Sequence, residues 1–353
     1  MIVIDGSYGE GGGQILRTSL ILSSLTKIPI KLINIRKNRS PPGLKSQHLH
    51  SVLLIKKITR AETSEISIGS LELYFSPKGI YGGIYKEDIG TAGSITLLLQ
   101  GVLLTALFSD SKIKLIIKGG TDVKHSPSLD YFRYILLPYY RIFANIDFKL
   151  IRRGFYPKGG GEVEIEVNPI FSLNNYTSFN DFLRDIKNLG SLDIDFEMPK
   201  EINIYSVASK DLKERKVCER MVRGAISVFK NLVDIKIRKH IEYVDSYSTG
   251  AVITIVGNRK YPFGTDFLGE KNLRAETVGK LAAEKFIEIL KNKASVDENL
   301  SDNLIPFISL IGGKFTVSNI SNHLKTNIWV VKQFLNIDIK IDKIGNLFLV
   351  SFK

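Results

Sequence analysis

The chain has 353 residues, 44% of them hydrophobic, with a formal net charge of +13 and one cysteine. That length can bury a large core and accommodates two domains, and the positive charge favours polyanionic partners such as RNA, DNA or nucleotides. The lone Cys218 excludes an intramolecular disulfide and a cysteine-based zinc site, and Asp5 stands too early for a signal peptide. A cytoplasmic protein without a membrane partner is expected.

The first residues, Met1–Asp5, read as a short apolar strand running into GSYGEGGGQILR, Gly6–Arg17. Five glycines in eight positions precede an apolar helix, Ile15–Leu25, and leave backbone N–H groups open in a way that suits phosphate. Glu10, Gln14 and Arg17 are the polar side chains of this stretch, and Gln14 and Arg17 share a helix face. The residues also read as a plain strand-to-helix turn; neither P-loop spacing nor G-x-G-x-x-G is present. A strand Ile30–Ile35, a basic turn Arg36–Gly43, a helix Leu44–Ile58 and two short strands near Glu65–Ile68 and Leu71–Phe75 complete the unit.

The plan then recurs. GTAGSITLLLQ, Gly90–Gln100, again sets a glycine turn before an apolar helix ending near Phe108, with Gly90 standing 81 residues after Gly9. IKLI occurs at Ile30–Ile33 and again 83 residues later at Ile113–Ile116, and a helix Pro127–Phe143 answers Leu44–Ile58. Turn, helix and strand stay in step, so the fold class is α/β (α+β): repeated β-α-β-α-β-β units, each with two helices on a four-stranded sheet. A third unit is expected to be split between Ile146–Val167 and the segment after residue 272. Beyond Pro169 the texture changes. Asn174–Gly190 is loop-like, Leu192–Phe196 and Ile202–Ser206 read as strands, and Asp211–Leu232 reads as a charged helix. Ile235–Ile237, Ile241–Val244 and Ala251–Val256 are further strand candidates. Residues 181–272 are therefore read as a smaller inserted α/β domain, with 1–180 and 273–353 forming the core. The repeat texture resumes at Leu268–Leu290, followed by helices Leu300–Ile311 and Thr326–Leu335 and a final hairpin.

The five histidines are His48, His50, His125, His240 and His323. None is paired at H-x-x-x-H spacing, no Cys/His cluster exists and no G-x-S-x-G elbow occurs, which argues against a zinc enzyme and a serine hydrolase. His323 stands in SNHLKTN among hydroxyl and amide side chains. It reads as a hydrogen-bonded turn residue or as a nucleophile, which would need a neutral imidazole with one nitrogen held and the other facing an electrophile.

RGFYPKGGGEV, Arg153–Val163, resembles the signature of the RNA 3′-terminal phosphate cyclase superfamily. DGSYGEGGGQILR, IRKNRSPPGLKSQH, GTAGSITLLLQ, KGGTDVKHSP and SNHLKTN fit the same family in the same order, from Met1 to the C-terminus, with the inserted part matched only loosely. The resemblance implies a ligase-class enzyme that uses ATP to convert an RNA 3′-phosphate into a 2′,3′-cyclic phosphate. It would act through a histidine–AMP adduct and an RNA-(3′)pp(5′)A intermediate, releasing AMP and pyrophosphate. By motif position His323 is the nucleophile and Glu10 the carboxylate for a divalent metal, Mg or Mn. Gln14, Arg17 and Gln100 fall at the nucleotide, and Arg36, Arg39, Gln47 and His48 at the RNA and terminal phosphates. Asn299, Leu300, Ser301, Asp302 and Asn303 stand where the family usually shows a Leu-Ala-Asp-Gln run at the nucleotide, often after an aromatic or histidine; Asp302 is kept, whereas Asn303 is one methylene shorter than Gln and Asn299 is not aromatic. The alternative is a non-catalytic, cyclase-like protein of ribosome assembly, a branch that lacks the histidine. Enolpyruvyl transferases share the repeated unit but do not account for SNHLKTN.

Overall fold

The computed structural model describes residues 1–231 and 235–352. The first unit contains β1 (Ile2–Asp5), α1 (Gly13–Thr26), β2 (Ile30–Ile33), α2 (Ser46–Thr59), β3 (Glu62–Thr63) and β4 (Leu73–Ser76). Its sheet runs β1-β2-β4-β3, with β1 and β2 parallel and the other pairs antiparallel. In the second unit come β5 (Gly83–Asp88), α3 (Ile95–Ala106), β6 (Ile113–Gly119), α4 (Leu129–Tyr131), α5 (Leu137–Tyr140), β7 (Ala144–Arg152) and β8 (Gly161–Pro169). The order β5-β6-β8-β7 reproduces the first unit strand for strand. A π-helical turn, Phe132–Leu136, joins α4 to α5.

Next come α6 (Phe179–Ile186), β9 (Leu192–Ile194), β10 (Glu201–Ser209), α7 (Val217–Val228), β11 (Lys236–Val244), β12 (Ala251–Asn258) and β13 (Phe263–Leu268). The remainder is α8 (Ala275–Asn292), α9 (Glu298–Ile311), β14 (Gly313–Val317), α10 (Asn322–Phe334), β15 (Ile339–Ile344) and β16 (Leu347–Phe352). β9 pairs in parallel with β14, and the sheet β9-β14-β16-β15 repeats the same pattern a third time. β10 to β13 form a fourth sheet of order β11-β10-β12-β13, so it lies in sequence between β9 and α9.

Several expectations are corrected here. The third unit opens with β9, which sequence reading had placed inside the insert; Ile146–Val167 instead supplies β7 and β8 of the second sheet. α8 packs on α7 of the fourth sheet, although its preceding glycines look like those of the repeats. The two helices touch backbone to backbone: a Cβ on Gly279 would overlap the carbonyl oxygen of Met221, and one on Gly224 the carbonyl of Glu276. Residues 65–68 are not strand, whereas residues 179–186 are helical because Ser178 caps the helix and Phe182 and Ile186 bury one face. Ile235–Ile237 and Ile241–Val244 belong to one continuous stretch ending in β11, and the charged helix begins only at Val217. Its expected end, Leu232, lies outside the described residues.

The three repeated sheets turn their aliphatic faces inward on the helices. α1 and α3 are buried nearly all round, as their continuous apolar sequence requires, and α1 packs on α2, α3 and α10. On the second sheet Ile113, Leu115 and Ile117 point in. Lys112 and Lys114 point out and bridge Glu164 and Glu166, the alternation of a sheet wet on one side. The fourth sheet packs against the second unit: the Tyr139 hydroxyl donates to the Pro262 carbonyl at 2.9 Å, and Ser128 Oγ meets Thr254 Oγ1 at 2.9 Å. Among the described residues no helix is long and apolar enough to cross a membrane.

Candidate active site

A cleft of about 930 Å³ opens where α1, the basic turn, α9 and α10 meet. Its glycine loop ends at α1 with Gly12 in the cap position and no side chain bonded to the first turn, so those N–H groups remain available to an anion. Gly13 is required for contact with α2, because a Cβ there would collide with His48 Nε2.

His323 occupies the first turn of α10, not a loop before it, and Ser321 caps that turn by accepting from Leu324 N at 2.9 Å. Its Nδ1 lies 2.6 Å from Gln14 Nε2 and 3.3 Å from Glu10 Oε2. As placed, the Gln14 nitrogen donates to a lone pair on Nδ1; turned over by a half-turn, the amide offers its oxygen and serves the form with the proton on Nδ1, the one that the nearby Glu10 carboxylate, an acceptor only, favours. In that second form Nε2 carries the free lone pair. Burial holds the imidazole below its ordinary pKa; Arg17 and Arg39 act in the same direction and Glu10 against it. His323 is therefore neutral at neutral pH.

His48 is the contrasting case. Burial, followed by Arg17, Arg36 and Lys45, pushes it down to about 3. Its Nδ1 accepts from the Lys45 amide at 3.2 Å, which puts the proton on Nε2 against the glycine loop. It is a packed donor with no lone pair to offer.

The cations differ in their partners. Arg17 has no carboxylate within ion-pair distance among the described residues; burial brings it down to about 10, and it stays charged. Beside it the Gln100 amide nitrogen is buried with no partner, a second donor left for whatever enters the cleft. Arg39 bonds Glu10 at 2.6 Å at the rim. Arg36 is buried and donates to the carbonyls of Pro41 and Gly43 at 3.0 and 2.7 Å, so one of its tasks is to shape the basic turn. Gln47 lines the cleft and accepts from Ser94 N at 3.1 Å, tying α2 to the second glycine turn.

Of the run Asn299–Asn303, only Asn299, Asp302 and Asn303 reach the cleft. Leu300 and Ser301 face the other way because α9 turns a face to the core: Leu300 is fully buried, and Ser301 donates to the Glu298 carbonyl at 2.7 Å. Burial pushes the Asp302 carboxyl up to about 7, against the opposing hydrogen bond from Ser321. Asn327, which sequence reading did not single out, donates to the Asp302 carbonyl at 2.8 Å and accepts from the Thr18 hydroxyl at 2.8 Å. Its four-residue spacing from His323 was the available signal. Lys45, Lys124, His125 and Lys285 also line the cleft and were not singled out.

No group of three or more His, Cys, Asp or Glu side chains suited to a metal occurs among the described residues. Glu10, already bonded to Arg39, fits only an ion whose other ligands are phosphate oxygens and water.

The family model for RNA 3′-terminal phosphate cyclase matches residues 8–341. A Pyrococcus furiosus protein of that name is 41% identical over 95% of this chain and 93% of its own. Proteins of the same name from Methanosarcina acetivorans and Saccharolobus islandicus are 40% and 42% identical, covering 99% and 98% of this chain and 99% and 97% of their own.

Proposed function

The chain belongs to the RNA 3′-terminal phosphate cyclase family, and from that premise we propose that it is an ATP-dependent enzyme closing RNA 3′-phosphates into 2′,3′-cyclic phosphates. The supporting observation is His323: neutral, held at Nδ1 by Glu10 and Gln14, with Nε2 free in a cleft whose floor carries the unpaired Arg17. In the first step Nε2 attacks the α-phosphorus of ATP. An N–P bond forms and the bond to the β-phosphate oxygen breaks, releasing pyrophosphate. The imidazole becomes cationic while its Nδ1 proton stays between Glu10 and Gln14, whose acceptors stabilise that charge. Arg17, Gln100 and the open N–H groups of α1 receive the charge developing on the phosphoryl oxygens. A bound divalent ion, with Glu10 as its one protein carboxylate, would neutralise charge on the phosphates.

An oxygen of the RNA 3′-phosphate then attacks the same phosphorus, the N–P bond breaks and neutral His323 returns. Finally O2′ attacks the 3′-phosphorus, its proton passing to solvent, and AMP leaves as the ring closes. Arg39 at the rim, with Lys45, is placed to hold the terminal phosphate. His48 is unsuited to the nucleophile's role because its Nε2 bears the proton.

Incubation with α-labelled ATP and magnesium, without RNA, should leave label on the protein after denaturation, in an acid-labile, alkali-stable bond. His323→Asn should abolish the adduct and cyclisation with an unchanged unfolding transition, since the side chain is 46% exposed. Label persisting on the variant overturns the assignment. The non-catalytic alternative expects no adduct in either protein.

A further inference from the structure

A second cavity, about 340 Å³, lies at the seam between the second unit and the inserted sheet. We propose that this seam is a binding site for an unpaired nucleotide of single-stranded RNA, lying upstream of the 3′ end held in the cleft. The proposal rests on the reading of RNA as substrate.

Four observations carry it. First, three flat rings form a column: Tyr134 stacks on Tyr205 at 4.1 Å and 10°, and Tyr205 on His240 at 4.5 Å and 12°. The outer ring, His240, is exposed on an edge strand, and its Nε2 is held at 3.0 Å by Asn203 Oδ1, so the ring presents a fixed face. An unpaired base continues such a column, because every base offers a π-face. Second, the cations beside the column are uncommitted. Arg133 lies over the rings of Tyr134 and Phe148 at 5.0 and 5.6 Å, and neither it nor Lys149 has a carboxylate within ion-pair distance among the described residues. Third, Arg153 lines the cavity while bonded to Asp122 and Asp130, and its buried Nε has no partner. Asp130 is thus engaged, leaving Glu242 as the one free acid in the lining against Arg133 and Lys149. Fourth, Arg133 and Tyr134 belong to the π-helical turn, whose extra residue brings them out of an otherwise buried helix into the cavity.

The same helix connects the two sites. Pro127, just before it, lines the cleft, and Tyr134 lines the seam roughly 10 Å further along. A chain that leaves the cleft past Pro127 can therefore lay an upstream base on His240 and a phosphate on Arg133 or Lys149. A dinucleotide is too short to use the seam.

The test compares a 3′-phosphorylated dinucleotide with a single-stranded, 3′-phosphorylated RNA of about ten nucleotides. Binding is read by fluorescence anisotropy at one salt concentration. Combining His240→Ala with Arg133→Ala should weaken binding of the longer RNA about tenfold and leave cyclisation of the dinucleotide unchanged. His240→Phe should retain affinity for the longer RNA, because it keeps a flat ring. Unchanged binding of the longer RNA by the double variant overturns the proposal, as does an equal loss on both substrates. Displacement of the longer RNA by an acidic polypeptide from the parent but not from the double variant also overturns it, assigning the seam to a protein. Adduct formation from labelled ATP, which needs no RNA, tests the cyclase reading separately.

Discussion

Asp302 and Arg17 are both ionisable groups held at the floor of the cleft at a cost in stability when charged. The Asp302 carboxyl is raised from 3.8 to about 7, so it binds a proton in the fold at pH values where the unfolded chain has lost it. Stability from this group is greatest below the unfolded value and falls as pH rises through the window from about 4 to 7. Asp297, raised to about 6 by burial, adds a loss in the same direction. Asp302→Asn should flatten that decline and stabilise the protein at pH 8 by on the order of 2 kcal/mol, seen in urea unfolding at both ends of the window. No difference between pH 5 and pH 8 would mean that the carboxyl is not held protonated. Arg17→Met should likewise leave the melting temperature equal or higher, because a half-buried guanidinium without a carboxylate gains little from the fold. Its adenylylation rate should drop at least 100-fold, the usual scale for losing a donor to transition-state charge. A large fall in melting temperature would instead make Arg17 a structural residue.

At the level of elements, the glycines decide what may approach what. α7 and α8 meet with the Met221 carbonyl directly over Gly279, so any side chain there must push the helices apart. Gly279→Val should cost about 1–3 kcal/mol in chemical denaturation, the range for overpacking. A neutral result would contradict the backbone contact. α10 shows how element boundaries reach chemistry. The Ser321 cap starts that helix one residue before His323, and this turns the imidazole towards Gln14 and Glu10 of the first unit. The motif SNHLKTN pointed to His323, but its place inside the helix depended on a cap that is bonded in turn to Asp302 of α9.

Across the whole molecule the net charge is +13, and Arg17, Arg36, Lys45, Lys124 and Lys285 line the cleft, with only Lys124 of these paired to a carboxylate, Glu270 at 3.0 Å, among the described residues. RNA affinity should therefore fall steeply with salt, with a log–log slope of about −0.7 per phosphate contacted for a single strand. Arg39→Ala should reduce that slope by roughly one contact for RNA ending in a 3′-phosphate and leave it unchanged for a 3′-hydroxyl end. Equal slopes for all four combinations would make Arg39 an ordinary surface charge, as its bond to Glu10 at 2.6 Å on the rim otherwise allows.

The repeated unit was legible in the sequence because its signals are local. A glycine turn before an apolar helix and the recurrence of IKLI after similar intervals need no knowledge of distant partners. Glu10, Gln14, Arg17 and Gln100, which line the cleft, stood in those same local stretches. What the sequence could not decide was pairing. Leu192–Ile194 is three residues with no periodicity of its own, and it belongs to the third sheet only because Gly313–Phe315 lies beside it after a long insertion. α8 has the glycines and amphipathic face of a repeat helix, yet its partner is α7. Protonation states were equally out of reach. His48 and His323 are the same side chain and both feel Arg17, and burial against Gly13 in one case, and a carboxylate near Nδ1 in the other, separates a packed donor from a candidate lone pair. Local pattern determines which elements form; the desolvation and contacts that set their chemistry exist only once distant segments have met.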